Sequence, residues 1–323
     1  MKYLDYDRMP AILERYFGGP GRREVRLVGC ERSYDSGYID IVRFFGPGSV
    51  APGEVEVKYL VEPFQLRDPL IRGFAFRAED RLRREGRLYR GPSVMRPIEA
   101  NLSSPPCFVV VQECDYGMAA GSCFALDLRD RAFAGRGDSL REYYLNEYPA
   151  TGLAENPLAV PLGVCGLLLL RDAGGRPEEV LVVHRAGHLA SLENSLGPAA
   201  AGSVDWVASY GDLGELIEEA IRAEVEEELG LGADECRVVP LAWAREIFRG
   251  EKPQLFCLLE TPLTGAQLRP RLDDLKGRGE FDGYELCRLG SDLCLERAAA
   301  SRFNHEARMN YCLLEEYLAL TEG

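Results

Sequence analysis

Three glutamates, Glu224, Glu227 and Glu228, stand close together in the sequence, and their spacing suits metal chemistry. Residues at positions i, i+3 and i+4 lie on one face of an α-helix. Three carboxylates on one face repel one another unless a cation lies among them. Because Mg²⁺ prefers hard oxygen ligands and completes its shell with water and substrate phosphates, the trio predicts a site for Mg²⁺ or Mn²⁺.

The net charge of the whole chain is −14, which supports a role for a metal. Such a surface repels the phosphate backbone of nucleic acid, whose binding needs clustered Lys and Arg, so we expect no nucleic-acid partner. It would also repel a phosphorylated small molecule unless a bound cation reverses the local field. A small nucleotide is therefore an acceptable partner only together with a metal.

Apolar runs and cysteines indicate a cytoplasmic protein without a membrane partner. No apolar run reaches the ~18–20 residues that crossing a bilayer requires, and the first residues form no apolar signal segment. The ten cysteines contain no C-x-x-C pair, which is typical of reduced thiols and not of a disulfide framework or a zinc site. A homodimer is compatible with the sequence, which does not determine the oligomeric state.

The elements that must position the glutamates belong to the second half of the chain. Apolar residues four apart predict a helix from about Leu213 to Leu229. Strand-like apolar runs surround it at 162–171, 179–185, 237–242, 255–263 and 284–289. A further helix is predicted at 306–320. Strands mixed with helices of this length predict an α/β fold in which a sheet lies between helices.

The first half of the chain has a different pattern. A short helix is predicted within residues 1–20, an exposed charged helix at 77–89 and another helix at 139–148. Runs rich in β-branched and aromatic residues indicate strands at 25–30, 38–45, 55–61, 107–112 and 123–128. We predict a mostly β N-terminal domain over residues 1–150 and a second domain over 151–323, divided near the loop-like stretch 149–157.

The segment around the glutamates resembles the Nudix box, G-x5-E-x7-R-E-U-x-E-E-x-G-U, in which U is aliphatic. Glu215 matches the first glutamate of the box. The rest of the box is matched in register by Glu224, Val225, Glu227, Glu228, Gly230 and Leu231. The resemblance implies a Nudix-type α/β/α sandwich over about residues 158–323. It also implies a metal-dependent hydrolase that acts on a nucleoside diphosphate linked to another group.

Two departures from the box bear on activity. Ala223 stands where the family has an arginine that orients the catalytic loop, and the adjacent Arg222 points about 100° away on a helix. Twelve residues separate Gly202 from Glu215, where the family has five. This longer loop could bring Trp206 or Tyr210 to a substrate base or sugar, or it could be a surface excursion.

Further site residues follow from the resemblance. Glu224, Glu227 and Glu228 would bind the metal ions with help from the carbonyl of Gly202. The carboxylate that positions or deprotonates water would be Glu224 or Glu280. Glu280 precedes the run at 284–289, and a solvated loop glutamate is the equal alternative for it.

Two kinds of basic residue near the box were also considered. Arg185, at a predicted strand end, is a candidate phosphate contact because its guanidinium is always charged and fork-shaped, but an ordinary ion pair is the favoured role. His184 and His188 are four residues apart, but they lie across a strand end and a glycine-containing loop. Their spacing therefore favours a structural role over a metal site.

Two functions remain open at this stage. The preferred one is a hydrolase that releases a nucleoside monophosphate and a phosphorylated second product. A nucleotide sugar such as UDP-glucose is the preferred substrate, because the N-terminal extension, the long loop and Ala223 resemble the Nudix branch that hydrolyses UDP-glucose and UDP-galactose. The alternative is a non-catalytic Nudix-fold module that senses a nucleotide. Ala223 favours the alternative, whereas the complete set of glutamates favours the hydrolase.

Overall fold

The computed structural model describes residues 3–5, 8–18, 37–88, 91–148, 152–172, 174–187, 189, 192, 194–290 and 303–322. Strands and helices are interspersed along these ranges, which confirms the predicted mixed α/β class. The predicted strand at 25–30 and His188 lie outside the described residues. None of the helices described here combines the length and the hydrophobicity needed to cross a membrane.

The N-terminal half contains helices as well as strands, and helices contribute more to it than the sequence pattern indicates. Its strands are β1 (Tyr38–Arg43), β2 (Glu56–Leu60), β3 (Ser93–Asn101) and β4 (Phe108–Asp115). Its helices are α1 (Met9–Gly18), α2 (Pro69–Arg84), α3 (Tyr116–Gly121) and α4 (Leu140–Glu147). Helix α2 begins well before the predicted 77–89, because the Asp68 side chain caps its first turn.

The predicted strand at 123–128 is wrong. These residues follow α3 as a series of turns, with local bonds such as Leu128 N–H to the Ala125 carbonyl at 3.1 Å. Phe124 and Leu126 are nevertheless buried in a hydrophobic core. The apolar run therefore predicted correctly that these residues are buried, but not that they form turns. Turns bury side chains here as well as a strand would. Strand β3 was not predicted, since it contains Pro97.

The C-terminal half follows its predicted pattern closely. Its strands are β5 (Gly163–Arg171), β6 (Pro177–Arg185), β7 (Leu196–Gly197), β8 (Ala200–Ser203), β9 (Arg237–Glu246), β10 (Lys252–Thr261) and β11 (Phe281–Arg288). Its helices are α5 (Leu213–Leu229), α6 (Gly265–Leu275) and α7 (His305–Thr321). Helix α5 has the predicted bounds. The Asp212 side chain accepts the N–H of Glu215 at its start, and Gly230 ends it in the left-handed conformation at φ 63°.

A large sheet with the order β1-β9-β10-β5-β6-β11 forms the middle layer, with β8 pairing to β5 and β7 to β6. Successive residues of a strand face opposite sides of a sheet. Along β5, Val164 and Leu168 pack in the core that includes α5, whereas Cys165 and Leu169 pack in the core that includes α7. The C-terminal half therefore has helix, sheet and helix layers, with α5 on one face of the sheet.

The N-terminal elements lie directly against the segment that leads into α5. A smaller sheet, β2-β4-β3, is joined to this segment by backbone bonds, including Met95 N–H to the Val204 carbonyl at 2.8 Å. Strand β1 pairs with β9 in the large sheet. The domain boundary near residue 150 stays a prediction. What the contacts do establish is that both halves of the chain surround the end of β8.

Candidate active site

A cleft of about 630 Å³ lies at the end of β8. Residues 201–203 of β8 and Glu227 of α5 line it, together with Tyr116 and Phe124 from the N-terminal half. The volume is within the range of small-molecule binding sites. The helix that carries the glutamates and the N-terminal half of the chain therefore contribute to the same cleft.

Glu224 lies against the backbone of β8. A Cβ atom added at Gly202 would collide with the carboxylate of Glu224, so the absence of a side chain at Gly202 makes room for this carboxylate. Burial raises the pKa of Glu224 to about 8, with further increases from the negative charges of Glu280 and Glu227. The carboxylate of Glu224 is thus held at the edge of the cleft, beside other acidic side chains.

Glu228 is the most enclosed of the three glutamates. It is 7% exposed, and its carboxylate accepts the N–H of Ala201 at 3.4 Å. Burial raises its pKa well above the usual range, Glu280 raises it further, and Arg185 opposes both effects. Glu227 is exposed. The three side chains therefore share one helix face but differ in their access to water.

Glu280 and Arg185, both proposed from the sequence, are brought together. An Arg185 Nη2 atom lies 3.2 Å from a carboxylate oxygen of Glu280. The backbone also joins the two segments, since the Ala186 N–H donates to the Glu280 carbonyl at 2.8 Å. Because both side chains line the cleft and Glu280 influences the pKa of Glu224, the late glutamate belongs to the same acidic cluster.

The residues fit a divalent cation in charge and in donor type. In the described ranges, no group of three or more His, Cys, Asp or Glu side chains is close enough to hold a metal ion as it stands. The three glutamates differ in position, since Glu224 lies against Gly202, Glu228 is buried beside Ala201 and Glu227 is exposed. A cation would favour the ionised carboxylates and reverse the pKa increases. Glu224, Glu227 and Glu228 are the residues that would hold it.

The structure does not bring Trp206 and Tyr210 to the cleft. Tyr210 is 6% exposed and packs in the core beneath α5. Trp206 packs edge-on against Tyr59, with ring centroids 5.6 Å apart. Neither is among the described residues that line the cleft. Their role in stacking on a substrate stays a prediction, and their packing supports the structural alternative for this loop.

Arg222 does not take the place of the arginine that Ala223 replaces. Its guanidinium pairs with Glu218 at 2.7 Å and donates to the carbonyl of Ala233 at 2.8 Å. It therefore fastens α5 to the segment that follows it. The positive charge beside Glu228 comes instead from Arg185, on β6.

His184, four residues before His188, has a structural contact. Its Nε2 atom lies 2.6 Å from Glu285 across the β6–β11 pair, and both side chains are exposed.

Several residues of the cleft were not predicted. Tyr116, Arg249, Lys252 and Glu306 all line it, and Asp205 raises the pKa of Glu224 from nearby. Lys252 could have been noticed in the sequence, because it begins an otherwise apolar strand and a lysine is rarely buried without a partner. For Tyr116, more than a hundred residues before the box, no local signal exists.

We predict that Gly202→Ala lowers turnover at least tenfold. The new Cβ must displace the carboxylate of Glu224, and small displacements in an active site have large effects on rate. The measurement is the initial rate of substrate hydrolysis at saturating metal. Gly211→Ala is the matched control, because its Cβ would meet only an ordinary contact of 3.8 Å with Glu215. Equal rates for the two variants would contradict the placement of Glu224.

Comparisons with known proteins give distant matches. No protein-family model and no curated protein matches the chain. Among solved structures, a mutT/nudix family protein from Listeria innocua is 17% identical, with a TM-score of 0.34 over 50% of this chain and 94% of that chain. The Nudix hydrolase RenU from M. smegmatis is 15% identical, with a TM-score of 0.32 over 49% and 86%. The Ap4A hydrolase of C. elegans is 15% identical, with a TM-score of 0.31 over 50% and 98%.

Similarity this distant does not assign an activity, so the activity must follow from the residues of the cleft.

Proposed function

We propose that the chain is a metal-dependent pyrophosphohydrolase. It cleaves the diphosphate bridge of a nucleoside diphosphate linked to another moiety and releases a nucleoside monophosphate and a phosphorylated second product. One observation carries the proposal. Glu280 lies near Glu224 and Glu228 and raises the pKa of both. It lines a cleft of small-molecule size that is also lined by buried basic side chains. Such a cleft suits a cation at its acidic part and phosphate oxygens at its basic part.

The reaction is a displacement at phosphorus by water. Bound Mg²⁺ or Mn²⁺ would neutralise charge on the diphosphate and lower the pKa of the attacking water. Glu224 or Glu280 accepts the proton that water loses. A new P–O bond forms as the bridging P–O bond breaks, and the bridging oxygen leaves with the electron pair on the second phosphate. Arg185 holds Glu280 at the cleft through their 3.2 Å contact.

The preferred substrate is a nucleotide sugar, with UDP-glucose as the first compound to test. Its support is the layout of the chain, in which an N-terminal extension precedes the box and the box loop is lengthened. The N-terminal half adds Tyr116 and Phe124 to the cleft. Aromatic side chains of this kind offer flat apolar surface to a base or a sugar ring. Dinucleotides, nucleoside triphosphates and coenzyme A belong in the same screen.

A second candidate function is a non-catalytic module that binds a nucleotide. Ala223 in place of the box arginine favours it, as does the engagement of Arg222 with Glu218 elsewhere. Against it stands the retention of three mutually repelling glutamates, for which simple binding offers little reason. The two candidates differ in a measurable way, since only the hydrolase incorporates solvent oxygen into a product.

The test is a screen of nucleoside diphosphate derivatives with Mg²⁺ or Mn²⁺ in ¹⁸O-labelled water, with products identified by mass. We expect a nucleoside monophosphate and a sugar phosphate, with solvent ¹⁸O in the phosphate of one of them. Release should stop when EDTA is added. If nucleotides bind but no compound in the panel yields a labelled product, the binding module becomes the better assignment.

A further inference from the structure

Basic side chains are buried in the cleft of an otherwise acidic chain. Arg185, Arg249 and Lys252 all line it. The side chains of Arg185 and Arg249 are 10% and 5% exposed, and Lys252 is 2% exposed. Burying a charge is costly unless it is paired or binds something of opposite charge. The partners of each cation therefore indicate which of them is available to a ligand.

Arg249 is neutralised within the protein. Its guanidinium lies 2.5 Å from Glu246 and also pairs with Glu306. It therefore serves as a fixed positive charge that two carboxylates balance. Lys252 is not neutralised in this way. In the described part of the chain, neither Glu246 nor Glu306 forms an ion pair with it.

Lys252 has few protein partners. Its Nζ atom lies over Gly163, where an added Cβ would collide with it, and it donates to the side-chain oxygen of Gln254 at 2.5 Å. An ammonium carries three N–H donors. Within the described residues Gln254 is the one hydrogen-bond acceptor of Lys252, which leaves the remaining donors for a molecule in the cleft.

The surroundings of Lys252 contain charges of both signs. Burial lowers its pKa to about 8, the positive charge of Arg249 lowers it further, and Glu306 and Glu246 oppose both effects. The side chain is still mostly protonated at neutral pH. A second donor without a partner belongs to another residue that lines the cleft, since the buried Nε–H of Arg185 has no hydrogen-bond partner among the described residues.

We propose that Lys252 and Arg185 form an anion subsite that binds a phosphate group of the ligand. Lys252 supplies N–H donors from beside Gly163, and Arg185, whose Nη2 atom contacts Glu280, supplies its Nε–H. The acidic residues of α5 then bind a cation, and this basic subsite binds an anion in the same cleft. The inference rests on the proposed function in taking the anion to be a phosphate, but it does not require hydrolysis.

The test is calorimetric binding of inorganic phosphate to the full chain without added metal. We expect Lys252→Met to weaken phosphate binding at least tenfold, because it removes the ammonium and keeps the length of the side chain. Lys58→Met is the matched control. Lys58 is an exposed lysine on β2 that lies 3.2 Å from Glu56, and its replacement should change phosphate affinity less than twofold.

A second variant separates loss of the subsite from loss of the fold. Gly163→Ala leaves Lys252 charged but displaces its ammonium, so it should also weaken phosphate binding tenfold while far-ultraviolet circular dichroism stays that of the wild type. Failure of the wild type to bind phosphate, or wild-type affinity in folded Lys252→Met, would overturn the subsite. Because no catalysis is measured, these outcomes are independent of whether the hydrolase assignment holds.

Discussion

Replacing either Glu227 or Glu228 with glutamine is expected to lower turnover by a hundredfold or more, which corresponds to about 2.7 kcal/mol of transition-state stabilisation. Both residues belong to the carboxylate face of α5, and Glu228 lies near enough to Glu280 and Arg185 for both to change its pKa. Glutamine keeps the size of the side chain but provides a much weaker ligand for a hard cation. The measurement is the initial rate of nucleoside monophosphate release at saturating Mg²⁺.

The matched control is Glu226→Gln, which makes the same change on the same helix. Glu226 is exposed and does not line the cleft, so its variant should keep at least half of the wild-type rate. All three variants should fold, because removing one of several neighbouring carboxylates relieves repulsion. Near-wild-type activity in Glu227→Gln or Glu228→Gln would remove the basis for a metal site on α5.

Millimolar Mn²⁺ is expected to raise the melting temperature of the wild type, and EDTA is expected to reverse the rise. A ligand that binds only the folded state stabilises it by RT ln(1 + [L]/Kd), which is about 2.7 kcal/mol at a hundredfold excess over Kd. The proposed cation site would require α5, β8 and the loop before β11 to come together, so the unfolded chain should bind metal weakly. Thermal unfolding followed by circular dichroism measures the effect.

Two triple variants make this prediction specific. Replacing Glu224, Glu227 and Glu228 together with glutamine should make melting independent of Mn²⁺. The control removes the same charge from the same helix, at Glu218, Glu219 and Glu226, and should keep the response to metal. A metal response that survives in the first variant would place the cation elsewhere. No response in the wild type would count against the metal-dependent reaction itself.

The sequence by itself determined the part of the site that depends on neighbours along the chain. Helix α5 has the bounds that its apolar residues four apart predict, and Asp212 and Gly230 cap its two ends within one turn of the helix. The spacing of its glutamates likewise predicts a shared face without knowledge of the rest of the fold. Most strands of the C-terminal half were predictable for the same reason, since their apolar runs are continuous.

Only the tertiary structure decided what surrounds the glutamates. Tyr116 and Phe124 line the cleft from the N-terminal half. Glu280 lines it too and forms an ion pair with Arg185. Lys252 has room there because Gly163, on the neighbouring strand, has no side chain. These placements depend on pairings between segments far apart in the chain, such as β10 with β5. Local patterns report which residues are buried, but packing and strand pairing decide which buried residues meet.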